Sequence, residues 1–180
     1  MANLNGAFGI VLNIIIICYI STQVNSVFEF TNIECNVSDE FCKIETCFLK
    51  SINRTYKYAS LKIQLLKPIN KFWAHVTFMK RLSGYKPFLY NYSVDLCKLI
   101  RNPKSANKVA LFFFSLFSSY SNLNHSCPYS GFFIVEKLPI SHLNHKLTKV
   151  LPIPSGDYKI VSHWIMDNFR AMDLNVYFRI

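Results

Sequence analysis

Residues 72–79, Phe72-Trp73-Ala74-His75-Val76-Thr77-Phe78-Met79, decide the fold. Phe72, Ala74, Val76 and Phe78 fall on one face of an extended chain, and Trp73, His75, Thr77 and Met79 on the other. Successive side chains of a strand point to opposite sides, so this two-residue period belongs to a half-buried strand and not to a helix. The same alternation recurs outward from it. Leu61, Ile63 and Leu65 oppose Lys62, Gln64 and Leu66; Phe88, Tyr90, Tyr92 and Val94 oppose Leu89, Asn91, Ser93 and Asp95. Leu174, Val176, Phe178 and Ile180 oppose Asn175, Tyr177 and Arg179. Further strands are expected near 27–34, 43–52, 131–137 and 158–166. Ser83-Gly84 and Pro154-Ser155-Gly156-Asp157 read as turns, and Pro139, Pro152 and Pro154 make 138–156 a loop-rich connection.

One segment departs from this pattern. Ala106, Val109, Ala110, Phe113, Leu116, Phe117 and Tyr120 recur at helical spacing, which predicts a helix over about 104–120, just after Pro103. Leu111, Phe112 and Phe114 make its far side apolar as well. Such a helix is either covered on both sides or meets an apolar ligand or membrane. The expected architecture is one all-β sandwich of about seven to nine antiparallel strands with a single inserted helix near 104–120.

The residues ahead of this domain set its compartment. Residues 7–20 form an apolar run of 14, the length of a signal-peptide core and short of the ~20 residues that span a bilayer. Residues 1–26 are therefore expected to be a signal peptide, the alternative being an uncleaved anchor, with 27–180 a single domain that is secreted and extracellular. No charged side chain precedes Glu29, so the mature chain keeps the whole net charge of +10. Its basic residues are dispersed, which describes a solvated cationic surface; the sharper alternative is attraction to anionic head groups or acidic glycans. No reader motif for nucleic acid is present.

Five cysteines follow the expected signal, an odd number in an oxidising compartment: two bridges and one leftover thiol. Sequence does not fix connectivity. The pairing adopted is Cys97 with Cys127 and Cys35 with Cys47, leaving Cys42 odd. Closing the 97–127 loop is expected to contribute about 3–4 kcal/mol on the chain-entropy model. Four sequons, at Asn36, Asn53, Asn91 and Asn124, are expected to be exposed and glycosylated. Asn91 falls on the polar side of its strand, away from the core.

The chemistry of an enzyme is missing. There is no G-x-S-x-G elbow, H-E-x-x-H motif, P-loop, dinucleotide fingerprint or C-x-x-C zinc knuckle. The ten carboxylates are scattered. His142 and His145, three apart, read as solvated loop residues before they read as metal ligands. His75 and His163 lie on strands, and His125 beside Ser126 lacks a third, orienting group. The chain is expected to be no enzyme and to use no metal or cofactor. Aromatic bulk is abundant instead: 16 Phe, 10 Tyr and 2 Trp. Most of it builds a core; the functional reading is a pair of sheets splayed to admit an apolar ligand. Its expected lining is Phe72, Val76, Phe78, Phe88, Tyr90, Tyr92, Phe113 and Phe117.

Several blocks then carry a family resemblance: Phe30-Thr31-Asn32-Ile33-Glu34-Cys35; Cys47 with Leu49-Lys50 and Arg54; Lys80-Arg81 leading to Gly84-Tyr85-Lys86-Pro87-Phe88-Leu89-Tyr90-Asn91; Asp95-Leu96-Cys97; Ser121 to Tyr129; and Pro154-x-Gly156-x-Tyr158. They resemble the insect domain-of-unknown-function 1091 family of secreted proteins, itself similar in predicted form to the MD-2-related lipid-recognition (ML) sandwiches and their ganglioside-activator branch. The resemblance implies an immunoglobulin-like, ML-type β-sandwich that binds a lipid or hydrophobic semiochemical, with a chemosensory accessory or carrier role. Cys35, Cys47, Cys97 and Cys127 match its cysteine pattern; Cys42 looks like an addition, so 42–47 and 35–42 pairings stay open. The expected partners are a small hydrophobic ligand or lipid and a membrane receptor, with the protein itself a monomer. The competing reading is a surface-binding module with a solid core and no small ligand. Within the matched blocks, Gly84 is expected at positive φ in a hairpin turn, Asp95 as a local hydrogen-bond acceptor, and Asn122 and Asn124 as partners of the backbone before Cys127.

Overall fold

The structure, a computed structural model, describes residues 13–14, 27–53, 56–151 and 153–180. The expected signal peptide lies outside them except for Asn13 and Ile14. Eight strands are present among the described residues: β1 (Glu29–Val37), β2 (Cys42–Ser51), β3 (Lys57–Ile69), β4 (Phe72–Leu82), β5 (Gly84–Asp95), β6 (Tyr129–Pro139), β7 (Asp157–Met166) and β8 (Phe169–Arg179). They pair antiparallel in two sheets, a five-stranded one in the order β1-β8-β7-β4-β5 and a three-stranded one in the order β2-β3-β6. The all-β sandwich predicted from the alternation is the observed fold.

β4 shows why. Phe72, Ala74 and Phe78 are 2%, 3% and 0% exposed, whereas Trp73, one position over, is 38% exposed. Burying such side chains stabilises by about 1.5–3 kcal/mol each, and a one-residue slip would turn every one of them to solvent. Turns fix the register. Gly84 ends the β4–β5 hairpin at φ +94, where a side chain would be strained. Asp167 and Asn168, both at positive φ, turn β7 into β8. Asp167 Oδ1 also accepts from the Asn70 and Lys71 N–H groups at 3.1 and 2.8 Å, tying that hairpin to the β3–β4 turn.

Two expectations are corrected. The helix over 104–120 is interrupted: a 3₁₀ turn (Pro103–Ser105), α2 (Lys108–Ser115) and a second 3₁₀ turn (Ser118–Tyr120) share the span, and α1 (Leu96–Arg101) precedes them. Asn107 caps α2, its Oδ1 accepting from the Val109 N–H at 2.8 Å. At the other end Ser115 Oγ donates back to the Phe112 carbonyl at 2.7 Å, and Ser118 and Ser119 favour a turn over a continued helix. α1 begins at Asp95, whose carboxylate accepts from the Lys98 N–H at 3.0 Å. The connection 138–156 is not all loop: α3 (Ile140–Asn144) runs into a π-helical turn (His145–Val150), burying Leu143 and Leu147.

The helical segments cover the inner side of the larger sheet. Phe113 of α2 packs against Phe78 of β4 and Tyr90 and Tyr92 of β5, ring centroids 6.1, 5.6 and 5.5 Å apart. Two disulfides clamp the assembly. Cys35–Cys47 joins β1 to β2, the edge strands of the two sheets, and Cys97–Cys127 ties α1 to the segment entering β6. Cys42 is free and fully buried, its thiol 3.4 Å from the Ala171 carbonyl, and burial, then the Asp39 charge, push its pKa up. The 42–47 and 35–42 pairings are therefore closed. Asn36, Asn53, Asn91 and Asn124 are all exposed. Among the described residues no helix is long and apolar enough to cross a membrane.

Candidate functional site: an apolar cavity between the sheets

Along β4 the buried face changes from large to small and back to large. Phe72 packs on Trp164 at one end, ring centroids 5.3 Å apart, and Trp164 on Phe133 at 5.5 Å. At the other end Phe78 packs on Tyr158 at 5.3 Å, and Tyr158 stacks on Phe178 at 5.6 Å. Between them the strand offers only Ala74 and Val76. Ala59 of β3 and Ala110 of α2 face the same region. Where the chain supplies methyl groups among rings, volume is left over: a cavity of about 160 Å³ lies between the sheets, roofed by α2 and by Leu143 and Leu147.

The expected lining residues divide evenly. Val76, Tyr92, Phe113 and Phe117 line the cavity. Phe72, Phe78, Phe88 and Tyr90 do not; they share the inward face but sit beyond the cavity's ends. Phe72 packs on Tyr129, Phe133 and Trp164, Phe78 and Phe88 join the Tyr158 cluster, and Tyr90 meets the edge of Phe113. Ala74 and Ala110 fall on the apolar faces that the spacing marks, but aromatic bulk does not point to the small residues that leave space. Leu143 and Leu147, four apart, carried a helical signal that the flanking prolines hid.

The wall is almost wholly apolar. Ser60, Ser162 and Tyr92 bring its hydroxyls, and apart from Tyr92 no wall residue is ionisable. The site can therefore hold an apolar molecule and offers no acid–base pair for chemistry on it. The histidines lie elsewhere. His75 bonds Ser93 and His163 bonds Asp173 (2.8 Å) on the outer face of the larger sheet, and His142 lies 3.4 Å from the Ser115 carbonyl. Among the described residues no three His, Cys, Asp or Glu side chains converge as a metal site. Gly84 has the positive φ expected of it, Asp95 is the acceptor that starts α1, and the Asn122 amide bonds the Phe132 carbonyl and the Ile134 N–H at 2.6 and 2.9 Å. Asn124 takes part only through its main-chain N–H, to the Asn122 carbonyl at 3.0 Å. A separate, open depression of about 660 Å³ with a mixed polar and apolar lining runs past Tyr120, Asn122 and Lys137 on the surface.

No curated protein matches the sequence. Among solved structures, the crystal structure of chicken MD-1 complexed with lipid IVa is similar at 16% identity, covering 86% of this chain and 93% of that one, with a TM-score of 0.30. That distance is too great to transfer a ligand. Residues 74–160, from Ala74 in β4 to Ile160 in β7, match the family described as Protein of unknown function (DUF1091), the family that the Gly84-to-Asn91 and Ser121-to-Tyr129 blocks resemble.

Proposed function

We propose that this protein is a secreted, monomeric, non-enzymatic carrier or receptor accessory that holds a small hydrophobic molecule between its sheets. The observation that carries this reading is the cavity of about 160 Å³ with its nearly unbroken apolar wall. A closed apolar void of roughly 150 Å³ stays dry and takes up benzene. The void is smaller than the roughly 300–1,000 Å³ of ordinary small-molecule sites, so the ligand is a compact apolar molecule, or one end of an acyl chain that parts the wall further. Secretion is supported by the two disulfides and by the four exposed sequon asparagines. A chemosensory role follows from the family resemblance. A surface-binding module with a filled core gives no account of the void.

Fluorescence of N-phenyl-1-naphthylamine, with native mass spectrometry of secreted protein, tests the proposal. The wild type should enhance the probe's emission and carry a small apolar adduct. Ala110→Leu, which fills the cavity from α2, should keep the fold by circular dichroism and lose at least tenfold in probe affinity. A folded wild type that ignores the probe, or an Ala110→Leu protein that binds it equally well, overturns the reading.

A further inference from the structure

Of the three hydroxyl side chains in the cavity wall, two are committed to the fold. Ser60 Oγ accepts from the Lys137 N–H at 3.1 Å. Ser162 Oγ donates to the Leu174 carbonyl at 2.9 Å and accepts from the Trp164 indole N–H at 2.8 Å. Tyr92 differs. Its ring lies against Phe113, centroids 5.5 Å apart, and among the described residues its hydroxyl has no hydrogen-bond partner. The side chain is half-buried, and burial pushes its pKa up. Phenylalanine would fill the same volume with no hydroxyl, and the chain uses it at 16 other positions. The wall has no other uncommitted polar group and no charge.

Resting on the cavity reading above, we propose that Tyr92 is the polar anchor of the site, its hydroxyl donating to one oxygen on an otherwise apolar ligand. The ligand class is then a compact neutral ketone, aldehyde, ester or alcohol. A plain hydrocarbon fills the void but leaves the phenol unpaired. An ionised ligand finds no counter-charge in the wall and bears its full desolvation cost.

Calorimetric titration with acetophenone and ethylbenzene, a size-matched pair with and without a carbonyl, separates the possibilities. In Tyr92→Phe, acetophenone should bind about five- to tenfold more weakly, the range of one hydrogen bond. Ethylbenzene should stay within twofold. Thermal melting of unliganded Tyr92→Phe should match the wild type or exceed it, since no bond within the protein is lost. If both ligands bind the wild type and Tyr92→Phe alike, the anchor is overturned and the cavity reading stands. If neither binds the wild type, both fail. If Tyr92→Phe melts several degrees lower and loses both ligands equally, the hydroxyl serves the fold and the anchor is overturned.

Discussion

Phe113 joins the helical cover to the larger sheet. It is 6% exposed and reaches from α2 to β4 and β5 through Phe78, Tyr90 and Tyr92 while also walling the cavity. Phe113→Ala deletes a ring from a layer one residue deep, beside a void that already exists, so the neighbours have space to relax but no ring of their own to replace it. The expected loss is about 3–5 kcal/mol, with the enlarged cavity setting the upper end. Urea unfolding measures it, and a loss under about 1 kcal/mol would mean that α2 is not part of the packed core. Phe113→Leu should cost less, because it retains most of the volume.

At the scale of elements, strands were legible and helix bounds were not, for a physical reason. A half-buried strand repeats every two residues, and eight residues such as Phe72–Met79 declare it four times over. The helical span 104–120 shows a run of apolar side chains whose breaks depend on single hydrogen bonds: Asn107 capping α2 and Ser115 turning its oxygen back. Aromatic spacing outweighs such residues in a periodicity reading, although they decide where the chain stops. The cavity was half legible, since its large lining residues follow from the strand pattern and its existence depends on Ala59, Ala74 and Ala110 facing one another across the sandwich. Outside the core, the strands are also joined by charge. Arg179 Nε lies 2.7 Å from Asp157 between β8 and β7, and Arg170 Nε lies 2.7 Å from Asp173 within β8, whose carboxylate also meets His163 of β7. The Arg179 hydrogen bond holds the Asp157 carboxyl below its usual range, and the Arg170 hydrogen bond, helped by His163, does the same at Asp173. Both folded pKa values lie below the unfolded ones, so their stabilisation is present above the ordinary carboxylate pKa of about 3.9 and is lost as pH falls through the folded values. Each pair is exposed and screened by solvent, so its contribution is small. Arg170→Ala should lower stability slightly at pH 7 and by less at pH 2.5. Equal losses at both pH values would show that the arginine acts by packing and not by charge.

At the scale of the whole molecule, the two sheets and their helical cover are separate layers that meet through side chains, and the disulfides decide how far they can part. Cys35–Cys47 closes a sequence separation of 12 and Cys97–Cys127 one of 30. On the chain-entropy model these contribute about 3 and about 3.6 kcal/mol, an ordering that follows loop length alone. Position argues for a second difference. The shorter bridge joins two edge strands, whereas the longer one holds α1, and through it the start of the α2 segment that roofs the cavity. Paired Cys→Ala substitutions separate the two effects, and replacing both partners prevents Cys42 from capturing an orphaned thiol. Both variants should unfold at lower urea under non-reducing conditions, the Cys97→Ala/Cys127→Ala protein slightly lower. Only that variant should also release N-phenyl-1-naphthylamine faster at urea concentrations where it is still folded, because its cover is no longer tethered at that end. If the Cys35→Ala/Cys47→Ala protein shows the faster release instead, the ligand leaves between β1 and β2, and the helical cover is a fixed wall of the cavity.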